Sequence, residues 1–481
     1  MNTKLFPVIY FIVLLSLFSC NADFFDKYPI DEPAEDNFYQ DEESIKQVLN
    51  DAYFTLREAY RNYFVFGDLA SDDVYNSKFN NSSNHITINE SNVVADNGLV
   101  SAMWDNAYAT ISRTNLVLDH IEGIAMSDEH RSQYLNEAKF LRALMYFNLV
   151  RIYGDVPLVL KDMEEPSEAF EFGRTSQDEV YAQIISDLTD AESLPESYTN
   201  NQDIGRATKW AAKTLLAKVH LTLKQYREAD SKLKEVLTST HHLLPSYAAV
   251  FAADNPNNEE IIFAVQYARG FDPSQGNPFV EGAFANEDIG MGVLKRGTGT
   301  FLMTEELFNE FMPNDQRTTM IESLEGSRRR YIFTMKYYDT GMTSTVDAGN
   351  DWIVLRYADV CLMYAEVQNE LGNTPEALPY LREVRDRAGL NTDPGLANAP
   401  QAMRLAIEHE RRLELFCEGH RWFDLLRTGR LQQVMNTHFD SSLSNDEIGT
   451  NSNIEDYELL FPIPRYQINL NPDKIKQNTG Y

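Results

Sequence analysis

Residues 363–384 read MYAEVQNELGNTPEALPYLREV. Apolar residues recur at helical spacing as far as Leu371, Gly372-Asn373 interrupts them, and a second helical run follows. Thr374-Pro375 reads as an N-cap with proline in the first turn. Small residues (Ala365, Gly372, Ala377) stand where two helices must approach closely. The spacing therefore predicts a helix-turn-helix unit. The same pattern occurs earlier, carried by Leu216-Ala217, His220, Tyr226-Arg227-Glu228-Ala229 and Val236. Such a unit cannot bury its apolar face alone, so it stacks on others.

Both stretches are repeats of the tetratricopeptide kind, and the chain before them is helical too. Residues 43–60 and 101–121 are amphipathic. Residues 133–153 are apolar nearly all round, with Leu135, Ala138, Leu141, Leu144, Phe147 and Val150, so this helix is buried on several sides. Gly154-Asp155-Val156-Pro157 stops it, and Ser176 with Glu179 makes a capping box for the next helix. Between residues 252 and 351 the pattern changes. Glycine, asparagine, proline and aromatics dominate residues 267–299, and short strand-like runs appear at 261–265, 331–336 and 352–355. A long irregular insertion in a compact helical protein points to function.

A hydrophobic content of 43%, with 12% aromatic residues, is that of a folded chain. The formal charge of −31 repels phosphate backbones, which argues against nucleic acid as a partner. At the start, Lys4 is the only charge ahead of an apolar run from Leu5 to Phe18. A spanning helix needs about 20 apolar residues, so this shorter run reads as a secretory signal. It ends in Leu17-Phe18-Ser19-Cys20, which resembles the bacterial lipobox, whose cysteine is lipidated and becomes the first residue. Residues 1–19 are therefore expected to be removed and Cys20 to carry the lipid. One acyl chain holds weakly, and stable attachment needs more. Cys361 and Cys417 lie in apolar helical runs and read as small core residues, with a disulfide between them left open.

An ordered set of further stretches resembles the SusD/RagB family of surface nutrient-binding lipoproteins. Asp23-Phe24-Phe25-Asp26 with Pro29 follows Cys20. Glu137-Ala138-Lys139-Phe140-Leu141-Arg142-Ala143 leads to Tyr153-Gly154-Asp155-Val156-Pro157. Later come Arg356-Tyr357-Ala358-Asp359, Arg385-Asp386-Arg387-Ala388-Gly389, Glu410-Arg411-Arg412-Leu413-Glu414, and Glu418-Gly419-His420-Arg421-Trp422-Phe423-Asp424. Phe461-Pro462-Ile463-Pro464 and Asn478-Thr479-Gly480-Tyr481 close the chain. The resemblance implies a mostly α fold. This is a superhelix of four tetratricopeptide-like units with a loop-rich C-terminal half and a few short strands. It divides the chain into a leader (1–19), an N-terminal helical region (20–250) and a C-terminal region (251–481), the last two packed as one globular body. It also implies a place on the outer face of the outer membrane and no enzymatic role. The expected function is capture of a nutrient, read here as an oligosaccharide, for a SusC-like TonB-dependent β-barrel transporter. A surface glycoside hydrolase and a protein-binding tetratricopeptide scaffold are the alternatives.

No catalytic set emerges from the residues. His409-Glu410 begins like a zinc-protease helix, but position 413 is Leu where the second ligand is needed. The dense Glu and Arg of residues 410–427 read as a partly buried ion-pair network, with Trp422 in the core beside it. Gly290-Met291-Gly292 and Gly297-Thr298-Gly299 lack a phosphate-loop fingerprint. No metal or other cofactor is expected. Residues 254–260 are rich in oxygen donors but lack the spacing of a calcium loop, and calcium is the one cation for which donors are at hand. A sugar stacks its C–H faces on aromatic rings while amides and carboxylates bond its hydroxyls. Trp104, Trp210 and Trp422 lie on helices and read as core. Trp352, at the end of the loop 347–351, is left as the stacking candidate by elimination. Tyr267, Phe271, Phe279 and Phe284 in the insertion join it, with Tyr75 and Phe79 beside Asn76, Asn80 and Asn81.

Overall fold

A computed structural model describes residues 39–77, 80–163, 165–284, 297–325, 330–441 and 453–481. Cys20 and Phe79 lie outside these residues. The long helices are α1 (Glu42–Tyr60), α2 (Gly98–His120), α3 (Asp128–Tyr153), α4 (Gln177–Ala191), α5 (Lys209–Thr222), α6 (Tyr226–Val236), α7 (Tyr357–Glu370), α8 (Thr374–Arg387), α9 (Pro400–Glu414), α10 (Arg421–Thr428) and α11 (Leu431–Asp440). They pack in hairpins: α1 on α2, α3 on α4, α5 on α6 and α7 on α8, with α2 against α3, α4 against α5 and α6 against α7 joining one hairpin to the next. The tetratricopeptide-like superhelix is thus present, and both repeats read from sequence are hairpins of it. The capping chemistry is local. Asp41 and Ser44 form a reciprocal box at α1, and Ser176 Oγ accepts from the Glu179 N–H at α4. Gly154, at φ 77°, ends α3 in a backbone conformation that a side chain would strain. At α8 the cap falls one residue earlier than expected, on Asn373, and Thr374 instead bonds Asn369.

The few strands are β1 (Val74–Tyr75), β2 (Ile261–Val265), β3 (Leu302–Met303), β4 (Ile321–Glu325), β5 (Arg330–Thr334) and β6 (Trp352–Arg356). β2 and β6 form an antiparallel ribbon with Val265 opposite Trp352. The others form a sheet in the order β1-β3-β5-β4. All three strand-like runs of the sequence are strands.

Burial corrects four of the expected surface rings. Trp352 is 2% exposed and stacks on Tyr337 with centroids 5.2 Å apart. Phe279 meets Trp352, Phe301 and Phe64 edge-on, and Phe284 lies against Phe333. Tyr75 is buried in β1. Trp352 and Phe279 belong to an aromatic cluster with Tyr337, Phe301 and Phe64, and Phe284 and Tyr75 pack into the same hydrophobic core, each covered by chain distant in sequence. Trp104, Trp210 and Trp422 are buried as expected, and Cys361 and Cys417 are buried free thiols.

A second layer of the core is ionic. Arg356, at the end of β6, donates to Glu418 (2.7 Å), Glu260 (2.9 Å) and Glu414 (2.6 Å). Lys336 reaches Glu418 at 2.6 Å, and Arg317 reaches Glu410 at 2.6 Å and Asp315 at 2.7 Å. Arg387 bonds Glu260 and Glu414. Burial opposes ionisation of Glu414, but Arg387, Arg356 and Arg317 outweigh it and hold its carboxyl far below the usual range. The expected network of residues 410–427 is real, and it is more deeply buried than amphipathic spacing indicated.

Two substitutions test these layers. Removing one partner of a buried ion pair strands the other, at a cost of about 3–5 kcal/mol. Deleting a large buried ring costs about the same. Arg356→Met and Trp352→Ala should each lower the urea-unfolding free energy by that much, while Arg61→Ala, on a half-exposed side chain, stays within about 0.5 kcal/mol. A Trp352→Ala protein of unchanged stability would put the ring back on the surface.

Candidate functional site: a cleft between the first helix and the 267–278 loop

α1 turns Ile45, Val48, Leu49, Ala52, Leu56, Ala59 and Tyr60 inward. Phe54 falls off that stripe and is 52% exposed. Opposite it runs the segment leaving β2. Here Tyr267 donates its N–H to Asp351 Oδ1 at 2.8 Å and its hydroxyl to the Arg57 carbonyl at 3.2 Å. Between the two rings lies Arg57. Its guanidinium carbon is 5.1 Å from the Phe54 ring centre and 5.9 Å from that of Tyr267. Nε donates to the Gln266 carbonyl at 2.7 Å and Nη1 to Gln275 Oε1 at 3.0 Å. These residues wall a shallow cleft of about 130 Å3, with Glu58, Arg61 and Ser274 on its rim.

The loop side is fixed by a second loop, residues 339–350. Asp339 bonds Arg269 at 2.6 Å and accepts from the Gly341 and Gly349 N–H groups, and Asp347 accepts from Gly270 at 2.8 Å. A Cβ on Gly276 would stand 2.4 Å from Asp347 Cα, so only glycine lets the loops close. Backbone bridges at Ala268–Gln275 and Asn277–Ala348 complete the lock.

Of the expected rings that lie among the described residues, Tyr267 alone lines this cleft. Phe271 is 55% exposed on the same loop but outside the cleft lining. Sequence reasoning missed Phe54. Its signal in the sequence is a large aromatic on the polar face of an amphipathic helix. Chemically the cleft offers two rings for C–H faces, and amide, hydroxyl and guanidinium groups for hydroxyls. Glu58 is the single carboxylate in its lining, whereas glycoside hydrolysis needs a facing pair. Among the described residues no cluster of His, Cys, Asp and Glu could hold a metal.

Asp351 makes the loop's attachment weaken as pH rises. Its Oδ2 is buried without a partner. Burial raises its carboxyl to about 7, against the lowering effect of the Tyr267 N–H and Arg57. The folded state therefore holds a proton that the unfolded chain, at about 3.9, releases. Stability contributed by this group is present at low pH and lost as pH rises from about 4 to about 7. Asp351→Asn should flatten the pH dependence of melting across that window. An unaltered profile would show that the carboxyl ionises normally.

Comparison with known proteins agrees with this architecture. The family model described as "SusD family" matches residues 315–481, and that described as "Starch-binding associating with outer membrane" matches residues 23–221. SusD-like protein P25 of Formosa agariphila is 29% identical, over 98% of this chain and 99% of its own. A solved laminarin-binding SusD-like protein superimposes with a TM-score of 0.77 at 26% identity, over 92% of this chain and all of its own. Surface glycan-binding protein A from Bacteroides fluxus has the same fold, with a TM-score of 0.80 at 23% identity over 92% of this chain. With both halves matched, the hairpin superhelix in place and the motifs of residues 410–424 forming its ionic core, the chain belongs to the SusD/RagB family.

Proposed function

We propose that this protein captures a neutral oligosaccharide at the cell surface and hands it to a SusC-like TonB-dependent transporter. The observation that carries this reading is the pair of rings, Phe54 and Tyr267, set on either side of Arg57 in a shallow cleft built by two interlocked loops. The laminarin-binding relative supports glycan as the ligand class. The guanidinium of Arg57 spends its Nε and Nη1 on the protein, so it shapes the cleft more than it offers charge. The site is a binding site, and no hydrolytic step is assigned to it. Attachment at the outer membrane runs through lipid on Cys20. Among the described residues no helix is long and apolar enough to cross a membrane.

An exposed ring loses little entropy on binding because it has only two side-chain torsions. Losing one such anchor costs on the order of 2 kcal/mol, or about thirtyfold in affinity. Calorimetry with β-glucan, α-glucan and xylan oligosaccharides should show this loss for Phe54→Ala at little change in melting temperature. Affinity should hardly vary with salt, because no ion pair is screened. Unchanged binding by Phe54→Ala would move the site elsewhere, and a steep fall with salt would mean a charged ligand. For the anchor and the partner, mass spectrometry should find an acylated Cys20 at the mature N-terminus. Gentle detergent extraction should bring down a β-barrel with the protein. A free N-terminus at another residue, or repeated isolation without a barrel, would remove those two parts of the reading.

A further inference from the structure

On another part of the surface, the end of α5, the start of α6 and helices α7, α9 and α10 enclose a cavity of about 210 Å3. It shares no residue with the cleft. We propose that this cavity is a second binding site, for a single neutral, hydroxyl-rich ring such as a monosaccharide. The proposal stands whether or not the cleft binds glycan.

Size sets the first limit. Pockets for drug-sized ligands run to roughly 300–1,000 Å3, so this one takes something smaller. The lining sets the second. Leu221, Ile407, Leu415 and the half-buried ring of Tyr226 supply apolar surface for C–H groups. The rest of the wall is charged, yet its arginines are matched. Arg404 is bidentate to Glu370, at 2.6 and 2.8 Å. Arg411 and Arg427 share Asp424 at 2.9 Å each, Arg421 holds Asp72 at 2.8 Å, and Arg412 holds Asp73 at 2.7 Å. Six arginines and Lys224 stand against five carboxylates in the lining, and Asp72 and Asp359 behind the wall pair with Arg421 and Arg411, so no guanidinium of the wall is left without a carboxylate.

What the pairing leaves over is hydrogen-bonding capacity of both kinds. Asp73 is 1% exposed, and its Oδ2 has no partner. Arg430 Nε is buried 3.4 Å from Glu408 Oε2, within reach of the charge but without hydrogen-bond geometry. Burial raises the Glu408 carboxyl, more than Arg430 and Arg421 lower it. Buried donors and acceptors left unmade are costly. A ligand that both gives and takes hydrogen bonds and carries no charge satisfies this acceptor and this donor. A sugar ring has that chemistry.

The test uses the full mature protein and a panel of neutral monosaccharides (glucose, galactose, mannose, xylose and fucose) read by saturation-transfer NMR and calorimetry. At least one sugar should bind at millimolar concentration, with an affinity that hardly changes with salt. Tyr226→Ala should weaken it about tenfold. Glu408→Gln should weaken it too, while Phe54→Ala leaves it unchanged, since Phe54 lies in the cleft. Melting temperatures of all three variants serve as the folding check, and a soaked crystal structure of wild type covers the case in which Tyr226→Ala does not fold. Silence of the whole panel overturns the proposal. So does sugar binding lost only with Phe54, or density for the sugar in the cleft alone. Inorganic phosphate or glycylglycine binding in the cavity in place of the sugars would identify an anion or a zwitterion as its ligand and overturn the neutral-ring assignment.

Discussion

The guanidinium of Arg356 is the point on which the C-terminal half closes. It sits at the end of β6, 1% exposed, and bonds carboxylates from three separate segments: Glu260 before β2, Glu414 at the end of α9, and Glu418 in the turn that follows. Around it Arg317, Lys336, Arg385 and Arg387 face Asp315 and Glu410 along with the same three glutamates, so five cations meet five anions. Desolvating so many charges costs several kcal/mol per ion, and the gain from pairing them scarcely exceeds that cost. The network is therefore a weak source of net stability. Its effect is on uniqueness: any packing that separates one member leaves a bare charge in the core. A segment of some hundred residues with only short strands has long stretches that no periodic pattern holds in register. Here geometry-specific ion pairs supply that register.

The same strand carries this constraint to the cleft. β6 begins with Trp352, locked between Tyr337 and Phe279, and ends at Arg356. Immediately before it, Asp351 holds the Tyr267 N–H. The strand is thus clamped at its far end by ion pairs and at its near end by aromatic packing. Tyr267 hangs from the residue next to the clamp. From there the loop reaches back to Arg57 on α1, which belongs to the N-terminal helices. The cleft is shallow and built partly of loops, but each loop is tied to a rigid element within one or two bonds, so its rings are placed before any ligand arrives. Preorganised groups lose less freedom on binding.

The helices and strands were legible because their signals are periodic. Residues 133–153 could be nothing but a buried helix, and 261–265 and 352–355 proved to be a paired ribbon. The ionic core was legible in kind, from the density of Glu and Arg after residue 409. Its partners Arg317, Lys336 and Glu260 were not, because they come from loops and strands a hundred residues away. The cleft was least legible. Exposure in irregular chain depends on what else passes over it, and no local pattern encodes that. Trp352, Phe279 and Phe284 looked like surface rings for the same reason that makes them core: they are large, apolar and close to glycine-rich turns. Phe54 shows the converse. On a helix, exposure can be read from spacing: Trp104, Trp210 and Trp422 are core as their helices indicate, and Phe54, off the apolar stripe, is exposed.

Charge bears on the ligand at two length scales, and they lead to the same class. The whole chain carries −31, which raises the cost of bringing a polyanion to its surface over a Debye length of about 8 Å at physiological salt. Within the cleft, Arg57 is the deepest cation, and burial lowers its affinity for a proton, against the raising effect of Tyr267 and Asp351. A guanidinium held between two rings, with its hydrogen bonds already given to Gln266 and Gln275, makes a flat, rigid floor. Arg61, half exposed on the rim, shares its charge with Glu58 at 3.6 Å. Arg57 keeps its charge, since its hydrogen-bond partners are neutral, but its fork is already turned to the protein, and the chain's own negative field opposes a sulfated or uronic chain. What remains is ring surface and polar groups, the complement of a neutral saccharide.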